Sequence, residues 1–183
     1  MRIGITVGHT GRPHKQFKDL GAAKAPLVEV YVVRQYVAAL ERALHRLGCE
    51  VVVLSDGEYS DQWKRVDSYN CDVYLNCHMN AGGGDRGEFF YDHRSTRGKA
   101  LAEKIVSELK TKWPNRAVAC RPDDDGEPRD EDYSEAYGCI CGVKAVALVV
   151  EGYFIDGPRI SEFVSGIEAW AESVAQALKK SAL

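Results

Sequence analysis

His9, Glu29, His78 and Glu151 are the residues of this chain whose types and placement could do chemistry. His9 comes just after the apolar run Ile3-Gly4-Ile5-Thr6-Val7, which Gly8 closes. His78 follows the run from Val73 to Cys77, and Glu151 follows the run from Ala145 to Val150. All three runs read as buried strands, and in open α/β sheets ligands gather beyond the carboxyl ends of the strands. Glu29 falls in the first turn of a helical pattern, four residues before Val33 and beside its apolar stripe. A carboxylate facing a core is costly unless it is paired or bound to metal. Two imidazoles and a carboxylate make a zinc ligand set that leaves a fourth position for water.

Plainer readings exist for each residue taken singly. A lone histidine at a strand end is commonly a satisfied structural residue. Glu29 favours the positive N-terminal end of its helix whatever else it does, and Glu151 suits a cap or an ion pair. The glycines near His9 (Gly8, Gly11) and after Asn80 (Gly82, Gly83, Gly84) fit turns or an anion-binding nest. Four such residues together at predicted strand ends and a helix start are harder to explain in this way.

The elements that must position them alternate between strand and helix. Val30, Val33, Val37, Leu40, Leu44 and Leu47 recur at helical spacing, with Pro26 expected to open the helix and Gly48 to end it. Val51 to Leu54 predicts a second strand, Ser60 to Tyr69 a weaker helix, and Glu88 to Tyr91 a short edge strand. Thr96 to Lys112 repeats Leu101, Ile105 and Leu109 on one helical face. Residues 120–138 read as a long acidic loop, expected to wall the substrate groove. Cys139-Ile140-Cys141 reads as part of a strand leading towards Ala145, and Ile160 to Leu178 as one closing helix. The pattern predicts an α/β fold: a single domain over 1–183, with a mainly parallel, twisted β-sheet flanked by helices on both faces.

Composition agrees with that class. The hydrophobic fraction is 45% and the charged fraction 28%, which excludes a disordered chain, a collagen-like fibre and a disulfide miniprotein. No apolar stretch approaches the ~20 residues that span a bilayer, so no membrane partner is expected. With 24 basic and 27 acidic residues, net −3, the surface offers no broad reason to bind nucleic acid. The first apolar run is too short for a signal peptide, so synthesis in the cytoplasm is expected, with action elsewhere after release. The six cysteines are scattered without a C-x-x-C pair and are expected to be reduced.

The Gly8-His9-Thr10-Gly11 turn, Glu29, Leu75-Asn76-Cys77-His78-Met79-Asn80 and Val149-Val150-Glu151-Gly152-Tyr153-Phe154 resemble four motifs of one family. It is the zinc-dependent N-acetylmuramoyl-L-alanine amidases of the amidase 3 group, found in bacterial wall hydrolases and phage endolysins. Asp19-Leu20-Gly21-Ala22 is similar to the stretch before the family's ligand glutamate, and Arg65 stands at the place of a characteristic arginine. The likeness covers roughly residues 3 to 178. The sequence departs at Thr10, where a second glycine is usual, at Asn76-Cys77 and Met79, and at Tyr153. All the departures keep the histidines and glutamates.

The resemblance implies a peptidoglycan hydrolase that cuts the amide between N-acetylmuramic acid and the first stem-peptide residue. It implies one Zn2+ per chain on His9, Glu29 and His78, with Glu151 as general base and Asn80 as a substrate contact or a turn residue. A monomer acting on peptidoglycan is expected. Two other readings compete. A zinc carboxypeptidase usually carries His-x-x-Glu, but the residue three after His9 is Arg12. A non-catalytic wall-binding relative typically loses a ligand or the glutamate, and both are present here. Asp123, Asp125 and Gly126 fit part of a calcium loop, but its first and twelfth positions would be Arg121 and Asp132.

Overall fold

Runs of β-branched and apolar residues form the centre of a six-stranded sheet in the computed structural model, which describes residues 1–10, 20–56, 59–114, 117–122 and 138–181. In chain order the elements begin with β1 (Arg2–Val7), the hairpin β2 (Ala23–Lys24) and β3 (Leu27–Val28), α1 (Glu29–Arg46) and β4 (Glu50–Leu54). Then come α2 (Tyr59–Gln62), running into a 3-10 helix (Trp63–Tyr69), β5 (Val73–Asn80), β6 (Arg86–Tyr91), α3 (Thr96–Lys112) and β7 (Ala117–Pro122). The last elements are α4 (Gly138–Cys141), β8 (Val146–Phe154), α5 (Ile160–Ser165) and α6 (Ile167–Lys180).

The sheet order is β4-β1-β5-β8-β6-β7. All neighbours run parallel except β6 and β8, which are antiparallel. From β1 the chain moves outward to β4, and from β5 it moves the other way to β6. The topological switch point therefore lies between β1 and β5, where α/β sheets of this kind bind ligands.

Two apolar layers cover the sheet. On one face α1, α3, α5 and α6 bury Ile3, Ile5, Leu75, Leu148 and Val150 against Leu40, Leu101, Phe163 and Trp170. On the other, the 3-10 helix and α4 bury Tyr74, Phe90, Ala147 and Val149 with Val66 and Ile140. Both faces carry helices, as the strand–helix alternation predicts.

Several boundaries differ from the expectation. Pro26 sits in the β2–β3 turn, and α1 begins three residues later at Glu29. The region expected as one weak helix splits into α2 and the 3-10 helix, ending at Asn70 in the left-handed conformation. Gly166 divides the closing helix into α5 and α6. Cys139-Ile140-Cys141 belongs to α4, where Cys139 and Ile140 pack under the sheet, and not to a strand. The strand expected at an edge, β6, lies inside the sheet because β7 extends it. Residues 120–122 of the expected loop belong to β7, while 123–137, with the calcium-like stretch and the expected groove wall, lie outside the described residues. Among the described residues no helix is long and apolar enough to cross a membrane. All six cysteines are free thiols.

Candidate functional site

His9, Glu29 and His78 meet at the switch point. His9 Nε2 stands 3.2 Å from Glu29 Oε1, and His78 Nδ1 stands 3.1 Å from the same oxygen. The two imidazoles lie edge to face with centroids 5.1 Å apart. Among the described residues these three form the one cluster able to hold a metal, with ligand atoms all within 4.8 Å of one another. In a tetrahedral zinc site with bonds near 2.0–2.1 Å, neighbouring ligand atoms stand about 3.3 Å apart. The separations from Glu29 Oε1 have that size, so the donor set fits zinc in type and in spacing.

Local backbone chemistry explains how the three are aimed. His9 adopts φ 59°, the left-handed region that few non-glycine residues enter, and its ring meets Glu29 and His78. A Cβ on Gly8 would overlap the His78 imidazole, so only glycine lets that ring lie against the β1 end. Gly21, at φ 74°, leaves room for the Glu29 carboxylate in the same way.

Glu29 is 2% exposed, and backbone donors fix both of its oxygens. Ala22 N–H donates to Oε2 at 2.9 Å and Met79 N–H donates to Oε1 at 3.1 Å. Its own N–H donates to Ala22 O at 2.9 Å, locking the start of α1 to the segment before the hairpin. Burial pushes the Glu29 carboxyl up, but hydrogen bonds from His78 and His9, then their charges, outweigh it and hold it well below the usual range.

Glu151 lies inside β8, not beyond it, and His78 lies inside β5; the two are register partners. Glu151 also faces Glu88 across the antiparallel β6–β8 pair. One extra residue on β8 between Glu151 and Phe154 shifts the register there, as a bulge does beside many sites. Glu151 Oε2 is buried and has no hydrogen-bond partner. Burial, then the charges of Glu29 and Glu88, push its carboxyl well above the ordinary value. Such a group binds a proton readily.

Asn80 is not a turn residue. It ends β5, its Nδ2 donates to Glu88 Oε2 at 2.6 Å, and its Oδ1 accepts from Ala81 N–H at 2.8 Å. Arg65 spends its guanidinium on Asp56, away from the His9–Glu29–His78 cluster. The departures from the family pattern are structural. Thr10 is buried and accepts at its carbonyl from Gln62, Cys77 and Met79 pack in the core, and Tyr153 stacks on Phe163 at 5.8 Å.

Glu88 is the residue that sequence reasoning missed. It is 2% exposed, held by Arg86 and Arg121 on one oxygen and by Asn80 on the other. The signal was present in the strand pattern, where a charged Glu88 shares a sheet face with the buried Phe90.

A family model described as N-acetylmuramoyl-L-alanine amidase matches residues 3–182. Solved structures similar in fold include the N-acetylmuramoyl-L-alanine amidase AmiC2 of Nostoc punctiforme. It is 16% identical at TM-score 0.73, with 98% of this chain and 93% of that chain covered. The catalytic domain of the CD27L endolysin targeting Clostridia difficile is 22% identical at TM-score 0.73, covering 97% and 96%. The N-acetylmuramyl-L-alanine amidase Ami1 from Mycobacterium smegmatis is 12% identical at TM-score 0.75, covering 97% and 94%. No match is found among curated protein sequences.

Proposed function

The chain belongs to the N-acetylmuramoyl-L-alanine amidase family, whose members hydrolyse peptidoglycan, and from that premise we propose that it works with one Zn2+ on His9, Glu29 and His78 and with Glu151 as general base. The observation that carries this reading is the convergence of His9 Nε2 and His78 Nδ1 on one Glu29 oxygen, at 3.2 and 3.1 Å. When bound, zinc supplies polarisation of the scissile carbonyl and acidification of water.

The protein's own groups do the rest. Glu29 is oriented by two backbone N–H groups, Ala22 on Oε2 and Met79 on Oε1. Glu151 takes a proton from the attacking water as it adds to the carbonyl carbon, then returns a proton to the leaving L-alanine nitrogen. The carbon–nitrogen bond breaks, leaving a carboxyl group on the muramoyl lactyl arm and a free amine on the peptide. Burial beside Glu29 and Glu88 raises the proton affinity of Glu151, which favours the first transfer. Asn80 has both ends of its amide engaged, so any contact it makes with substrate is set by Glu88.

Digestion of purified sacculi, with the new ends identified by mass spectrometry, tests the reaction. The reading requires free L-alanine amino termini and intact glycan strands. New reducing sugar ends, or new carboxyl termini within the peptide, would overturn it.

A further inference from the structure

We propose that Gln62 is a positioning residue for the metal site, holding His9 in its left-handed conformation by pinning the carbonyl of Thr10. The proposal rests on the reading of His9 as a zinc ligand.

The backbone on both sides of His9 is tied down. Gly8 N–H donates to Cys77 O at 2.8 Å, which fixes the residue before His9 to β5. Thr10 closes the turn after it. Its hydroxyl donates to Val7 O at 2.7 Å, and its N–H reaches the same oxygen at 3.4 Å. Gln62 then takes the carbonyl of Thr10: its Nε2 donates to Thr10 O at 3.1 Å and stands 3.3 Å from Thr10 Oγ1. A residue between two pinned neighbours has little freedom to change its φ, and His9 stays at 59°. Non-glycine residues persist in that region only where their surroundings over-determine them.

Burial makes the Gln62 contact hard to replace. Gln62 is 0% exposed and Thr10 4%, so water has little access to the amide or to the carbonyl it serves. A buried carbonyl that loses its donor is costly, and a turn with that cost to relieve shifts to pair it elsewhere. Gln62 itself has a firm seat. It ends α2 where the 3-10 helix begins, and that helix packs Trp63 and the fully buried Val66 into the layer under the sheet. The contact joins residues 52 apart in sequence, so it couples this layer to the turn that carries a ligand. A shift of the turn would take His9 Nε2 away from Glu29 Oε1, now 3.2 Å distant, and from the His78 ring beside it.

Gln62→Met tests the role, because it keeps the length of the side chain and removes its donor. Zinc affinity, measured by competition with a chelator, should fall about tenfold, as when a group supporting a metal ligand is lost. The visible bands of the cobalt-substituted protein, which report ligand geometry, should change as well. Gly48→Ala serves as the control, since it strains the fold where a new Cβ meets nothing within 4 Å, and it should move neither readout. In the His9→Ala background the effect of Q62M on zinc should vanish, because Gln62 acts through His9. Should Q62M not fold, Gln62→Asn, whose amide is one methylene too short to reach Thr10 O, carries the same readouts. Unchanged zinc affinity and cobalt bands in a folded Gln62 variant overturn the positioning role and leave the zinc reading standing. An equal loss with and without His9 overturns it too. Undiminished zinc affinity in H9A overturns the parent reading and this one with it.

Discussion

His78 and Glu151 are register partners on the adjacent parallel strands β5 and β8, so the sheet itself holds an imidazole and a carboxylate side by side. Neither residue depends on a loop for its position. His9 and Glu29 are brought to them by a left-handed turn and a helix start, which are more easily displaced.

His78→Ala should abolish stoichiometric zinc while leaving the sheet intact. Imidazole removal leaves His9 and Glu29, a pair too few for a structural hold on zinc. Elemental analysis should read about one zinc per chain in the wild type and far less in the variant. Added zinc should raise the wild-type Tm, since a ligand that binds only the folded state stabilises it, and should not raise that of H78A. A full zinc complement in H78A would remove the histidine from the ligand set.

Bound zinc should fall as the solution is acidified, because only unprotonated imidazoles bind metal. Glu29 does not set this limit. Its carboxyl is held well below the usual range by His78 and His9 despite burial, so it stays charged while the imidazoles titrate. Zinc content measured along a falling pH series checks the order. Retention until the ordinary carboxylate range would place control at a glutamate instead.

Gly21→Ala and Gly48→Ala separate backbone strain from crowding at the site. Both glycines have φ near 70°, at 74° and 71°, so alanine at either should cost about 1 kcal/mol of stability. Only at Gly21 would the new Cβ overlap Glu29 and His9; at Gly48 nothing lies within 4 Å. Zinc affinity should therefore drop in Gly21→Ala alone, while urea denaturation shows both variants destabilised. Equal zinc affinity in the two would mean that Glu29 has more freedom than its contacts suggest.

Much of this was legible in the sequence because burial leaves a period. Leu101, Ile105 and Leu109 mark α3 to its ends, and the stripe from Val30 to Leu44 marks the body of α1. The four candidate residues were legible because His9, His78 and Glu151 follow apolar runs and Glu29 opens a helical stripe. What stayed hidden depends on contacts distant in sequence. Glu151 reads as following its strand, yet pairing with β5, with Asn80 opposite Phe154, carries β8 on to Phe154. β7 escaped notice because its residues Ala117–Pro122 alternate weakly and include Arg121 and Pro122, tolerable only at an edge. Cys139 and Ile140 are apolar enough for a strand, and their helical turn is set by packing under Tyr74 and Val149.

Glu151→Gln should separate chemistry from stability in opposite directions. Glutamine keeps the shape of the side chain but cannot take a proton, so hydrolysis should fall by at least the ~10² to 10⁴ typical of general acid–base catalysis. Zinc content should stay at the wild-type level, because the ligand trio is untouched. Stability should rise. Burial and the neighbouring charges of Glu29 and Glu88 raise the proton affinity of Glu151 in the folded state above that of the unfolded chain. A group shifted in this direction destabilises the fold as pH rises above its unfolded value, and the penalty disappears in acid. Metal-stripped E151Q should therefore unfold at a higher temperature than metal-stripped wild type at neutral pH, with the gap closing towards about pH 4. Loss of zinc in E151Q would move Glu151 into the ligand set, and unchanged turnover would remove it from the mechanism.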